Sequence, residues 1–74
     1  MQFVPIIGGR AWEWEHGGLK YYAVSLNGSA SVYVYTTKSD DSEDWTFAFE
    51  RLTNGQPAEN VVEHIYHEVT EIRQ

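Results

Sequence analysis

The chain has 74 residues, eleven acidic against five basic for a formal charge of −6, and no cysteine. Disulfides and thiolate zinc sites are therefore excluded. The acidic balance opposes nucleic-acid binding, which sets Lys and Arg against phosphates, and docking on anionic membranes.

At this length the chain is expected to form a single domain over residues 1–74. So short a chain buries only about 60–65% of the surface its unfolded form exposes, which leaves a thin stability margin. Three Trp, three Phe and five Tyr make up 15% of the residues, so dense aromatic packing is expected to take the place of a staple. Met1–Ile7 lacks the charged start and long apolar core of a secretory signal, and no apolar stretch approaches the ~20 residues of a membrane span. A soluble, cytoplasmic protein is the expectation.

Gln2–Ile7 reads as a short strand, and Pro5, which has no N–H to donate, is expected at a sheet edge. Gly8-Gly9 breaks it. Ala11–His16 then alternates, with Trp12 and Trp14 on one face and Glu13 and Glu15 on the other, the period of a half-buried strand. After the Gly17-Gly18 turn, Leu19–Leu26 and Ser29–Thr37 flank Asn27-Gly28, the strongest hairpin signal in the chain. A two-residue type I′ turn, with both residues at φ > 0, would set Leu26 opposite Ser29, Val24 opposite Ser31, Tyr22 opposite Tyr33 and Lys20 opposite Tyr35. Tyr21, Ala23, Val32 and Val34 would share the other face. A three-residue loop with a bulge would instead pair Val24 with Val32.

Lys38–Asp44 has nothing apolar to bury and is expected to be an exposed loop. Trp45–Leu52 reads as a further strand, with Trp45, Phe47 and Phe49 on one face and Thr46, Ala48, Glu50 and Leu52 on the other. Asn54-Gly55 ends it. Pro57–Ile72 reads as a helix, with Pro57 at the expected first residue, and Glu59 in the first turn and Arg73 near the end both suited to the helix dipole. Ala58, Val61, Val62, Ile65, Val69 and Ile72 form one apolar stripe about 100° wide, flanked by Tyr66.

The pattern predicts an α+β fold: an antiparallel β-meander of three to five strands with one C-terminal helix packed across one face. One helix covers one face, yet large aromatic residues alternate onto both. Part of the aromatic surface must stay uncovered, and contiguous patches of this kind mark interfaces. Tyr22, Tyr33 and Tyr35 are the candidates for partner contact.

Motifs for chemistry are sparse. The helix carries Glu63, His64, His67, Glu68 and Glu71, and its Glu-x-x-His and His-x-x-x-Glu spacings occur in metal sites that draw ligands from several helices. Here one helix supplies them all. His64, His67 and Glu71 are weak metal candidates beside the simpler expectation of solvated i,i+4 pairs, and no cofactor is expected. Gly8-Gly9-Arg10 lacks the frame of a phosphate-binding loop. No nucleophile stands in a known local frame, so an enzyme is not expected. Aromatic strands can stack on unpaired bases, but that needs basic residues around the rings. Only Lys20 and Arg10 are available, against Glu13 and Glu15.

The sharpest electrostatic feature is the acidic segment Asp40, Asp41, Glu43 and Asp44. Such carboxylates can dock on a basic surface, including the nucleic-acid-binding groove of another protein. Small acidic phage inhibitors of host defence, anti-CRISPR proteins among them, share this profile of size, charge and compactness. That likeness is of composition, with no shared motif. The expectation is a small acidic protein–protein interaction module, an inhibitor that occupies a basic, nucleic-acid-binding surface of a partner protein, with no direct nucleic-acid or membrane contact. The alternatives are a homodimeric structural or ligand-binding domain joined through its open sheet face, and a metal-dependent enzyme using the His/Glu helix face.

Overall fold

A computed structural model describes residues 1–38, 40 and 44–71. Five strands, β1 (Gln2–Ile6), β2 (Gly9–His16), β3 (Leu19–Leu26), β4 (Ser31–Lys38) and β5 (Thr46–Leu52), lie side by side in chain order, each antiparallel to the next. Helix α1 (Ala58–Thr70) packs on one face, against β2 and β4. The α+β meander with one C-terminal helix is thus the fold, with the full five strands. Pro5 lies in β1 at the sheet edge, where a residue without an N–H is tolerated.

The β2–β3 hairpin closes through Gly17 and Gly18, at φ 62° and 82°, with His16 paired to Leu19. Both residues must be left-handed in this two-residue turn, which glycine permits without steric cost.

The β3–β4 hairpin departs from both expected registers. Gly28 is at φ 80° while Asn27 keeps a negative φ, and the Ser29 N–H donates to the Leu26 carbonyl at 3.0 Å. That is the φ pattern of a type II turn, not of type I′. The Ser31 N–H donates to Ser29 Oγ at 3.2 Å, and the Asn27 N–H donates to the Gly8 carbonyl at 2.9 Å. The turn is thereby tied to the neighbouring β1–β2 hairpin, and pairing resumes later. Val24 faces Tyr33, Tyr22 faces Tyr35 and Lys20 faces Thr37. Relative to the type I′ register this is a slip of two residues, which preserves the faces. Tyr21, Ala23, Val32 and Val34 still share one side.

β5 corrects a second expectation. Val34 faces Phe49 and Tyr35 faces Phe47, so Ala48 is an extra residue opposite no partner, a β-bulge. Strict alternation would put Phe47 and Phe49 on one face. The bulge instead leaves Phe49 under the helix and turns Phe47 to the other side.

The core lies between sheet and helix. Trp12, Trp14, Ala23, Val32 and Val34 meet Ala58, Val61, Val62 and Ile65, with Tyr21, Phe49, Tyr66 and Val69 packed around them. Trp14 stacks on Tyr21 at 5.2 Å and meets Tyr66 in a T-shaped contact at 5.5 Å. Such pairs contribute about 0.5–1.5 kcal/mol each beyond the area they bury. One cost is visible: the Trp14 Nε1–H is buried without a hydrogen-bond acceptor.

The helix begins one residue later than expected. Pro57 is the N-cap, at φ −58° and ψ 141°, and its carbonyl accepts the Asn60 N–H at 3.0 Å. Ile72 and Arg73, expected in the last turn, lie outside the described residues. Two arginines tie the helix to the sheet. Arg10 Nη1 donates to Glu59 at 3.0 Å, and Arg51 grips Glu68 with two parallel bonds of 3.0 Å. Among the described residues no helix is long and apolar enough to cross a membrane.

Candidate functional site

The alternation that sends Trp12 and Trp14 under the helix sends Glu13 and Glu15 to the opposite face of β2. In β3 the same period brings Lys20, Tyr22 and Val24 to that face, and in β4 it brings Tyr33 and Tyr35. The bulge adds Phe47, whose ring makes a T-shaped contact with Tyr35 at 5.7 Å. Trp45, just before β5, leans on Tyr22 at 5.7 Å with the rings tilted by 51°. No element of the described chain covers this side of the sheet. Phe47 is 52% exposed, Leu52 57% and Trp45 39%.

Within the face, Glu13, Tyr22, Tyr35 and Trp45 line a shallow open depression of about 420 Å³. The register places Glu13 directly across from Tyr22, and Tyr22 directly across from Tyr35, so the four groups come from four separate segments of the chain. Among the described residues Glu13 makes no hydrogen bond or ion pair, whereas Glu50, further along the face, accepts a bond of 2.8 Å from Ser31 Oγ. An adjoining hollow of about 390 Å³ is shared by Gln2, Glu15 and Lys20 with Glu13 and Trp45.

The distribution of charge follows from where the arginines went. Arg10 and Arg51 lie on the helix side, engaged with Glu59 and Glu68. The fork from Arg51 holds the Glu68 carboxyl below the usual carboxylate range, and Glu68 in turn raises Arg51. Glu59 is lowered first by its own backbone N–H at the helix start and then by Arg10. On the uncovered face, Lys20 is the one basic residue among the described residues, beside Glu13, Glu15 and Glu50. Arg10, a candidate for contact beside the aromatic rings in sequence, is on the wrong side for Tyr22 and Tyr35. It sits over Trp12 instead, 5.6 Å from the ring centroid.

Of the residues singled out in sequence, Tyr22, Tyr33 and Tyr35 come together on the uncovered face. Asp40 and Asp44 are exposed, whereas Asp41 and Glu43 lie outside the described residues. Asp44 borders a separate hollow at the end of β4 with Leu19, Lys38 and Thr46. His67 stands between two carboxylates of its own helix, Glu71 at 2.6 Å from Nδ1 and Glu63 at 3.4 Å from Nε2. These are the i,i+4 pairs of a solvated helix face. His64 is exposed beside them, and among the described residues no group of three or more His, Asp or Glu could hold a metal ion.

Sequence reasoning did not assign Glu13, Trp45 or Phe47 to the site. The position of Glu13 was legible in the alternation of β2, since it must point away from Trp12 and Trp14. That of Phe47 was not, because no residue in Trp45–Leu52 announces the bulge. Comparison of the chain with protein-family models, with curated proteins and with solved structures finds no match in any of the three.

Proposed function

We propose that this chain is a small protein-interaction module whose uncovered sheet face docks on a basic surface of a partner protein. The observation that carries the reading is the composition of that face among the described residues: the exposed rings of Trp45 and Phe47 and the half-buried Tyr22, Tyr33 and Tyr35, interspersed with carboxylates and a single lysine. Exposed aromatic residues give the buried anchors of an interface, and the carboxylates steer and orient a positively charged partner. A surface that normally holds nucleic acid offers the matching chemistry, cations for phosphates and flat apolar ground for bases. Bound there, the module would exclude the nucleic acid and so act as an inhibitor.

Pairing of two copies through the same face is disfavoured by the same composition. A two-fold contact sets each patch against itself, so, among the described residues, three carboxylates would meet three others with one lysine from each copy to offset them. The test uses a partner isolated by pull-down and measured by surface plasmon resonance. Phe47→Ala and Tyr35→Ala are expected to speed dissociation at least about tenfold, as loss of an interface anchor does. Raising salt is expected to slow association. Glu63→Gln and His64→Ala, on the outer face of the helix, are expected to change neither rate. Binding that depends on the helix variants and ignores the sheet variants would overturn the reading.

A further inference from the structure

The geometry points to an arginine side chain of the partner protein as the ligand of the depression lined by Glu13, Tyr22, Tyr35 and Trp45, an assignment that rests on the uncovered face being the docking surface. Three aromatic side chains and a carboxylate line one small volume, so ring quadrupoles and a negative charge are brought together there. A cation is the group this combination attracts. The carboxylate of Glu13 is exposed and, among the described residues, has neither a hydrogen bond nor an ion pair of its own. Among the described residues no cation lines the depression, Lys20 bordering only the adjoining hollow.

The shape selects guanidinium over ammonium. Tyr22 and Trp45 meet at 51°, forming an open corner and not a closed cage. A compact ammonium is strongly hydrated and gains most where it is enclosed. A planar, weakly hydrated guanidinium can lie against one wall of an open corner. Its remaining edge then presents two parallel N–H donors, which a single carboxylate such as Glu13 accepts as a fork. The protein already uses both halves of this chemistry on its other face. Arg51 lies 5.4 Å from the centre of the Phe49 ring while forking onto Glu68, an intramolecular copy of the contact assigned here to the partner.

The experiment is an NMR titration of the ¹⁵N-labelled protein with N-acetyl-arginine amide, followed at the Trp45 indole N–H and the Glu13 and Tyr22 amides. Parallel titrations use the neutral isostere N-acetyl-citrulline amide and N-acetyl-lysine amide. Saturable shifts confined to these positions are expected with the arginine compound, with affinity at least about tenfold weaker for the other two. Glu13→Gln and Trp45→Leu are expected to abolish the shifts while the spectrum of the helix and core is unchanged. Equal response to citrulline or lysine, shifts centred elsewhere, or wild-type affinity in Glu13→Gln would overturn the assignment. The docking face is tested apart from it by Tyr33→Ala, which lies outside the depression. If partner binding weakens in Tyr33→Ala but not in Glu13→Gln, the face stands and the arginine site falls.

Discussion

Gly9 begins β2 where the strand passes close to β3, and a Cβ built there would collide with the Ser25 carbonyl oxygen and lie 3.0 Å from Leu26 Cα. Both obstacles are backbone, so neither can swing aside. Gly9→Ala is therefore expected to destabilise the domain by about 1–3 kcal/mol, the usual cost of forced overpacking. In a chain this small that lowers the melting midpoint by several degrees in a calorimetric scan, whereas an unchanged midpoint would show that the strands separate without cost. Val62 is fully buried against the sheet. Val62→Asp places an unpaired charge there and is expected to leave the chain largely unfolded by circular dichroism. His64→Ala, two residues on but exposed, is expected to shift stability by less than about 0.5 kcal/mol. The reverse ranking would mean the helix presents a different side to the sheet.

The helix is held by its apolar stripe and positioned by two ion pairs, and the pairs make its docking sensitive to acid. Glu59 and Glu68 both have carboxyl groups lowered from the ordinary 4.5 by the folded state. A lowered folded-state pKa means that stability from these pairs is present above the unfolded carboxylate range. It is lost as pH falls through the lower, folded value. Arg51→Gln is accordingly expected to lose up to about 1 kcal/mol at pH 7, in keeping with an exposed fork. Its deficit against the wild type should shrink as pH falls through the lowered folded-state value of Glu68 and that carboxyl, the partner of Arg51, protonates. Urea midpoints for the wild type, Arg51→Gln, Glu68→Gln and the double variant, at pH 7 and pH 3, form the cycle that measures this. A deficit for Arg51→Gln that persists unchanged at pH 3 would assign it to lost packing on Phe49 and not to the ion pair.

Across the whole molecule the two sheet faces carry different balances of charge and apolar surface. On one side Arg10 and Arg51 join the helix to the sheet. On the other, rings remain exposed and carboxylates outnumber lysine. An uncovered apolar face is ordinarily an invitation to self-association, and here like charge opposes it. The wild type is expected to sediment as a monomer at low ionic strength. The triple variant Glu13→Gln/Glu15→Gln/Glu50→Gln is expected to associate at lower concentration, and salt should move the wild type in the same direction by screening. A wild-type dimer at low salt, unaffected by these changes, would show that the face is made for a second copy.

Much of this architecture was legible along the chain. The alternation in Ala11–His16 assigns Trp12 and Trp14 to one side and Glu13 to the other, because side chains two apart in a strand must share a face. The three- and four-residue spacing from Ala58 to Val69 specifies the stripe that meets them. Gly17-Gly18 marks a turn, and Pro5 marks an edge. Register and bulge were not legible, because local residues do not determine them alone. The β3–β4 turn takes its form partly from a hydrogen bond to Gly8, nineteen residues before Asn27. The bulge at Ala48 reconciles two demands from different parts of the fold: Phe49 is wanted by the helix-side core, and Phe47 packs on Tyr35 across the sheet. The depression is likewise a product of assembly. Glu13, Tyr22, Tyr35 and Trp45 are scattered over thirty-three positions of sequence, and only the pairing of β2, β3 and β4 gathers them around one point.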